Sequence, residues 1–298
     1  MYELLAKVAQ RFDPPKAQKL AAYSLKLAAV VVAKQTPPAL RREVMGLSFP
    51  SPVGLAAGFD KHGTLYPCLP PLGFGFAEIG SVIPQPEAQR SHGLAAVAAI
   101  LSRFPRPHAI PLGISISMNR ATPPERLVSD YLACMERLWE YADYITLNLG
   151  VRAGPDLHLP EYRVTLSSVL AAAKNAQACM ARERGLRRPV LMKVDQTRGD
   201  TDALLACVQE FALDGLILGG DAREGEECRI LANLERVTNI LNGRIPVISV
   251  GGIRTPQDAA DRLSAGAALV QVYSGIVESG PLLPRRINAH LSTLAVAS

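Results

Sequence analysis

Eight short apolar runs, each bounded by Gly, Pro, Asn or Asp, recur after residue 50 and constrain the fold more than any other feature of the chain. They are Pro52–Ala57, Phe76–Ser81, Pro111–Ile116, Asp143–Leu149, Pro189–Val194, Gly215–Leu218, Ile245–Val250 and Ala268–Tyr273. The runs are nearly continuous rather than alternating, which is the pattern of strands buried on both faces. Helical stretches separate the later runs. Thr122-Pro123-Pro124-Glu125 predicts a helix start, with an N-cap residue, Pro in the first turn and an acid where the helix dipole favours one. Thr255-Pro256-Gln257-Asp258 predicts a second start of the same kind. Strands alternating with helices predict parallel β/α units, and eight such units close into a (β/α)8 TIM barrel, an α/β fold. An open doubly wound sheet is the competing architecture. A length of 298 residues suits one barrel forming a single domain over residues 46–298.

Composition narrows the function classes. Hydrophobic residues at 48% and charged residues at 20% supply a large core and exclude global disorder. A net charge of +5 suits weak attraction to anionic lipid or to a phosphate ligand. Without a Lys/Arg run, and with only 5% aromatic residues, a nucleic-acid partner is not expected. Cys68, Cys134, Cys179, Cys207 and Cys228 are odd in number and form no C-x-x-C pair. That argues against a disulfide framework or a metal site and for a reducing cytoplasm.

Residues 1–45 read differently, as a helical extension. Met1–Phe12 and Lys16–Lys34 are expected to be two short helices separated by Asp13-Pro14-Pro15. Their apolar residues, including Leu4, Leu5, Val8, Leu20, Tyr23, Leu25, Leu27 and Val30, are rimmed by Lys7, Arg11, Lys16, Lys19 and Lys26. An in-plane membrane helix pair and a helical cap over the bottom of the barrel both fit this pattern. No signal-peptide pattern opens the chain, and the apolar stretch Leu27–Ala33 is far short of the ~20 residues a spanning helix needs.

In a β/α barrel the chemistry sits at the C-terminal ends of the strands. The first run ends in Ala57-Gly58-Phe59-Asp60-Lys61, the second in Gly80-Ser81 and the third in Ser115-Ile116-Ser117. The fourth ends in Asn148-Leu149-Gly150-Val151-Arg152, the fifth in Lys193-Val194-Asp195 and the sixth in Gly219-Gly220-Asp221. Gly251-Gly252 and Tyr273-Ser274-Gly275 follow the last two. Small residues at both of these ends let backbone N–H groups approach a phosphate; the plainer alternative is a tight turn. Lys193 closes an apolar strand, where burial is costly without a partner, and it suits the negative charge of a reduced flavin. Asn148 offers both amide groups to a flavin or substrate edge.

These strand ends, in this order, resemble the class 2 dihydroorotate dehydrogenases, the quinone-dependent and membrane-associated branch of that family. The resemblance covers nearly the whole chain. Arg11-Phe12-Asp13-Pro14 is similar to the family's membrane-docking start. Pro52 to Lys61, Leu72 to Phe76 with Glu78-Ile79-Gly80, and Tyr141 to Ile145 with Asn148 also match. So do Asn242 to Ile248 with Gly251-Gly252, and Ala265 to Gly275. The resemblance implies FMN at the barrel mouth, its phosphate on the Gly251–Gly252 and Tyr273–Gly275 loops. It implies Ala57, Gly58, Ser81, Ser115, Asn148 and Lys193 along the flavin, with Ser81 and Ser115 standing where the family has Thr and Asn. Lys61 matches the lysine that meets the substrate carboxylate. A quinone acceptor, cytoplasmic location and peripheral contact of residues 1–34 with the inner face of the cell membrane are also implied.

Departures cluster on the substrate side. The family's loop reads Asn-x-Ser-Ser-Pro-Asn-Thr-Pro-Gly, and its second Ser is the general base. Val151 stands there, and valine cannot accept a proton. Ala153 replaces a substrate-binding Asn, and Gly219-Gly220-Asp221 replaces Thr-Asn-Thr. The Met-Gly-Phe-Asn-Asn segment and the Gly-Gly-Leu-Ser-Gly flavin loop have no counterpart. Gln18 stands where the family's helix carries a quinone-tunnel His. New charges appear at Arg152, Asp195 and Asp221; Arg152 is a candidate substrate contact, and Asp195 and Asp221 are candidate bases. The reading is an FMN oxidoreductase of this family with a changed, anionic substrate. Genuine dihydroorotate oxidation and a non-catalytic FMN-binding or scaffold protein are the alternatives.

Overall fold

The computed structural model describes residues 14–31, 38–88, 91–150, 155–197, 200–220 and 227–297. A short antiparallel hairpin, β1 (Arg42–Val44) and β2 (Leu47–Phe49), comes first and straddles residue 45. Eight parallel strands follow: β3 (Val53–Leu55), β4 (Phe76–Val82), β5 (Leu112–Ile116), β6 (Tyr144–Asn148), β7 (Val190–Asp195), β8 (Gly215–Gly219), β9 (Val247–Val250) and β10 (Leu269–Val272). Each lies within two residues of its predicted run. β10 pairs back onto β3 through Val270 with Val53 and Val272 with Leu55, so the barrel closes and the open-sheet alternative is excluded.

Alternate residues of each strand fill the barrel, small beside large. A Cβ at Gly54 would run into the Phe76 ring, and one at Gly113 into the Tyr144 ring. Phe49, Phe76, Tyr144, Leu191, Ile217, Ile248 and Leu269 form an apolar layer at the N-terminal end. The hairpin plugs that end: Phe49 meets Phe76 edge-on at 5.4 Å. Its turn places Met45 and Gly46 at φ 56° and 75°, the left-handed conformation that tight hairpins need.

Helix α1 (Pro14–Val31) begins at Pro14, so Pro14 and Pro15 open a helix instead of separating two. Pro tolerates the first helical turn because the N–H it lacks has no partner there. Met1–Phe12 and Lys34 lie outside the described residues. Ala17, Ala21, Leu25 and Ala28 form a buried stripe at helical spacing. The stripe packs against the turns Tyr66–Cys68 and Pro70–Leu72 and against the helix after β10. Gln18 Nε2 donates to the carbonyls of Gly58 and Phe59 at 2.8 and 2.9 Å. The helix therefore covers the C-terminal mouth, not the bottom, which the hairpin already fills. An apolar stripe reveals which face of a helix is buried but not what covers it.

Of the two predicted helix starts, Thr255 makes the full capping box. Its hydroxyl accepts from the Asp258 N–H at 3.2 Å, and the Asp258 carboxylate accepts from the Thr255 N–H at 2.8 Å, opening Pro256–Ser264. Thr122 does not cap. Its hydroxyl donates to Asp130 at 2.7 Å, and a 3-10 turn, Pro124–Arg126, precedes the helix Leu127–Leu138. The later acid competes for the hydroxyl, so the cap signal there is local only.

Candidate active site

Polarity rises along the barrel axis. Above the apolar layer lie Glu78, Thr146 and Gln271, all buried. Glu78 Oε2 accepts from the Thr146 hydroxyl at 3.0 Å and from Gln271 Nε2 at 3.3 Å. Among the described residues, Glu78 Oε1 and Gln271 Oε1 are buried with no hydrogen-bond partner. Burial pushes the Glu78 carboxyl above its ordinary range, opposed by Lys193 and by these hydrogen bonds. A polar residue inside an apolar strand is the signal that singled out Lys193. Applied to Phe-Ala-Glu-Ile-Gly and Leu-Val-Gln-Val, the same signal finds Glu78 and Gln271.

The next layer is the mouth. Ser81 and Ser115 hydroxyls are 3.0 Å apart, and Asn148 Nδ2 donates to Ser81 at 2.7 Å. Asn148 and Lys193 are partners across the β6–β7 ladder. Four of the expected flavin-lining residues thus form one polar arc over β4 to β7. The Gly80 N–H donates to the Asp60 carbonyl, and the Gly58 N–H to the Gly80 carbonyl at 2.7 Å, knitting the first two strand ends together. Gly58, at φ 92°, lies beside the Tyr273 ring. Asp60 is buried and accepts from the N–H groups of Gly63, Thr64 and Leu65. Burial raises its pKa against those bonds. This buried turn aims the loop that carries half-buried Lys61. Beside it His62 and His92 stack with centroids 3.7 Å apart. Burial, then His92 and Lys61, push His62 down to about 4.

The two loops expected to hold a phosphate are built as one unit. Gly251, at φ 103°, passes so close to the Gly220 carbonyl that any Cβ would clash, and Gly252 is at φ 71°. A Cβ on Gly275 would clash with the Ile253 carbonyl. Buried Arg262 donates to the Gly251 carbonyl at 3.2 Å. Arg254 pairs with Glu278 at 2.7 Å, and the Ser279 hydroxyl donates to the Arg254 carbonyl at 2.7 Å. Tyr273 packs edge-on against Phe59 at 5.5 Å. The helix opened by Ser274 is only six residues long, Ser274–Ser279, so the N–H groups matter here more than a helix dipole. A cradle of backbone N–H groups that side chains would fill suits a phosphate.

On the substrate side, Val151, Arg152, Ala153 and Asp221 lie outside the described residues, Gly219 closes β8 and Gly220 follows it. Asp195 ends β7, where its Oδ1 accepts from the Thr197 N–H at 3.0 Å and hydroxyl at 2.6 Å. That oxygen caps its own turn. The loop's far end holds a pair that spacing alone did not reveal. His158 Nδ1 is 2.6 Å from Asp156 Oδ1, both residues buried. His158 Nε2 accepts from the Asp195 N–H at 3.1 Å, which places the ring proton on Nδ1. The pair ties the end of the loop after β6 to the end of β7.

The family profile described as dihydroorotate dehydrogenase matches residues 227–294, the segment that contains both small-residue loops. The chain is 35% identical to a dihydroorotate dehydrogenase (quinone) of Cellvibrio japonicus over 88% of each chain. It is 33% identical to one of Nitrosospira multiformis over 95% of this chain and 93% of the relative. The fold superposes on the crystal structure of ligand-free dihydroorotate dehydrogenase from Eimeria tenella with a TM-score of 0.81, at 25% identity and covering 96% of both chains. With its barrel and its relatives in agreement, the chain belongs to the quinone-dependent dihydroorotate dehydrogenase family.

Proposed function

We propose that this oxidoreductase binds FMN at the barrel mouth and acts on a small anionic substrate other than dihydroorotate. The observation that carries the proposal is the contrast between a flavin side with its hydrogen bonds in place and a substrate side whose sequence has lost its base and its pyrimidine-binding groups. The N–H groups of Gly251, Gly252, Ser274 and Gly275 would hold the phosphate. Ala57, Gly58, Ser81, Ser115, Asn148 and Lys193 would line the ring system, with Tyr273 closing the side next to Phe59. FMN, when bound, supplies a two-electron centre that accepts or gives hydride. Lys193 sets a positive charge in that arc, and Asn148, already oriented by Ser81, fixes the edge that meets it. Lys61 and Arg152 would meet the anionic group of the substrate.

The loss of the serine removes a proton acceptor that general-base catalysis values at ~10²–10⁴-fold. Asp195 is a weak replacement, since one of its oxygens already serves Thr197; Asp221 remains the other candidate. Identity of 33–35% to enzymes named dihydroorotate dehydrogenase (quinone) over most of the chain favours a second reading, true dihydroorotate oxidation with a rearranged base.

Peripheral membrane contact through residues 1–34 belongs to the same proposal. Among the described residues no helix is long and apolar enough to cross a membrane. Tyr23, Leu27, Val30 and Val31 stand exposed on α1, which suits an in-plane contact at the mouth and access for a quinone from that side. Titrating the purified chain with FMN tests the cofactor assignment. Saturation at one FMN per chain is expected; a colourless protein that takes up none would overturn it.

A further inference from the structure

A cavity of about 640 Å³ lies at the end of the barrel opposite the mouth. It is bordered by the segments that lead into β5, β6 and β7, so it opens on the N-terminal face. Its apolar side is made by Phe104, Tyr141 and Leu186. Its polar side holds Arg106, Arg188, His108 and Asp143.

The charges on that side do not balance. Asp143 Oδ2 lies 2.6 Å from His108 Nδ1 and accepts the Leu112 N–H at 2.8 Å. Burial works to raise the Asp143 pKa, but His108, Leu112 and Arg188 together hold it below the usual carboxylate range. The carboxylate is thus charged and mostly committed. Arg188 is left with one contact to it, at 3.5 Å. Yet Arg188 is only 8% exposed, and its Nε is buried with no hydrogen-bond partner among the described residues. Arg106 stands exposed at the rim, where its charge opposes that of Arg188. The remaining acid, Glu140, is the weakest of the charges acting on Arg188, is largely exposed and is paired with Arg184 at 3.3 Å. A guanidinium carries five donors, and burying its Nε without an acceptor is costly. Carboxylate and phosphate oxygens both match the guanidinium fork.

We propose that this cavity is a binding site for a small organic oxyanion, a phosphate monoester or carboxylate with a flat apolar body. The anionic head would sit between Arg106 and Arg188, and the body would lie against Phe104, Tyr141 and Leu186. The site is separate from the flavin mouth and independent of what reacts there.

Calorimetric titration of the full-length protein tests this, with excess FMN present to fill the flavin position and the two arginine variants distinguishing this cavity from the substrate side of the mouth. The probes are phenyl phosphate, benzoate, inorganic phosphate and neutral phenol. Saturable binding of phenyl phosphate or benzoate at one per chain is expected, tighter than inorganic phosphate, with none for phenol. Arg106→Ala, an exposed position that leaves packing intact, should weaken binding roughly tenfold or more. Arg188→Gln should do the same, and its thermal unfolding shows whether the variant is folded. Absence of saturable binding by both aromatic oxyanions would overturn the proposal. So would binding that Arg106→Ala leaves unchanged.

Discussion

The two ends of the candidate site are built differently. The phosphate end, after β9 and β10, is over-determined: two glycines are excluded from bearing a side chain, and Arg262, Arg254 and Ser279 brace the loops. The proposed substrate end, after β6 and β8, carries Asn148, and Asp156 and His158 tie the end of the loop after β6 to the end of β7. The first end resists change because a backbone cradle leaves no room for it. The second consists of side chains on loops, which can be exchanged while the barrel beneath stays the same. On the proposed reading, one fold keeps its cofactor and changes its substrate.

The largest expected effect comes from breaking the phosphate end. Gly252→Glu would put a side chain and a negative charge into the cradle. Complete loss of FMN retention is expected, with far-ultraviolet circular dichroism unchanged. Retained flavin would mean that these loops do not hold it. Asn148→Ala strikes where the two ends meet. It removes an oriented amide and frees Ser81, and FMN affinity should drop about 10- to 100-fold in a fluorescence titration.

The helix over the mouth offers a milder test. Leu27→Lys with Val30→Lys changes two exposed residues of α1 and none of its buried stripe. Binding to anionic liposomes should fall about tenfold or more while FMN affinity stays constant. Equal liposome binding by both proteins would make α1 a cover for the barrel only.

A smaller effect is expected at Glu78, beneath both ends. Its folded-state pKa is raised, so its favourable contribution is complete below the unfolded value near 4.5 and is lost as pH rises toward the folded value. Wild-type stability should therefore decline with pH above that point. Glu78→Gln keeps an acceptor for Thr146 and carries no charge, so it should flatten the decline. Thermal unfolding from pH 4.5 to 8 reads the difference, and parallel curves for the two proteins would contradict it.

Much of this was legible in the sequence, for physical reasons. Strands buried on both faces leave long apolar runs, so all eight were visible. The box at Thr255 is a contact between neighbours in sequence and was visible too. Thr122 misled because Asp130, eight residues on, takes its hydroxyl. The place of α1 depends on Gln18 reaching Gly58 and Phe59, forty residues away, which no local pattern records. His158 was silent for the same reason, since its partner Asp195 is 37 residues further on.

The central claim is that the flavin end persists while the substrate end has changed. Anaerobic mixing of the FMN-loaded protein with excess dihydroorotate, followed by flavin absorbance, tests it most directly. The flavin should stay oxidised in the wild type and in Val151→Ser alike, because the base and the binding groups at Ala153, Gly219 and Gly220 are missing together. Rapid bleaching of the wild type would contradict the account and show that dihydroorotate is still the substrate, with another group serving as base.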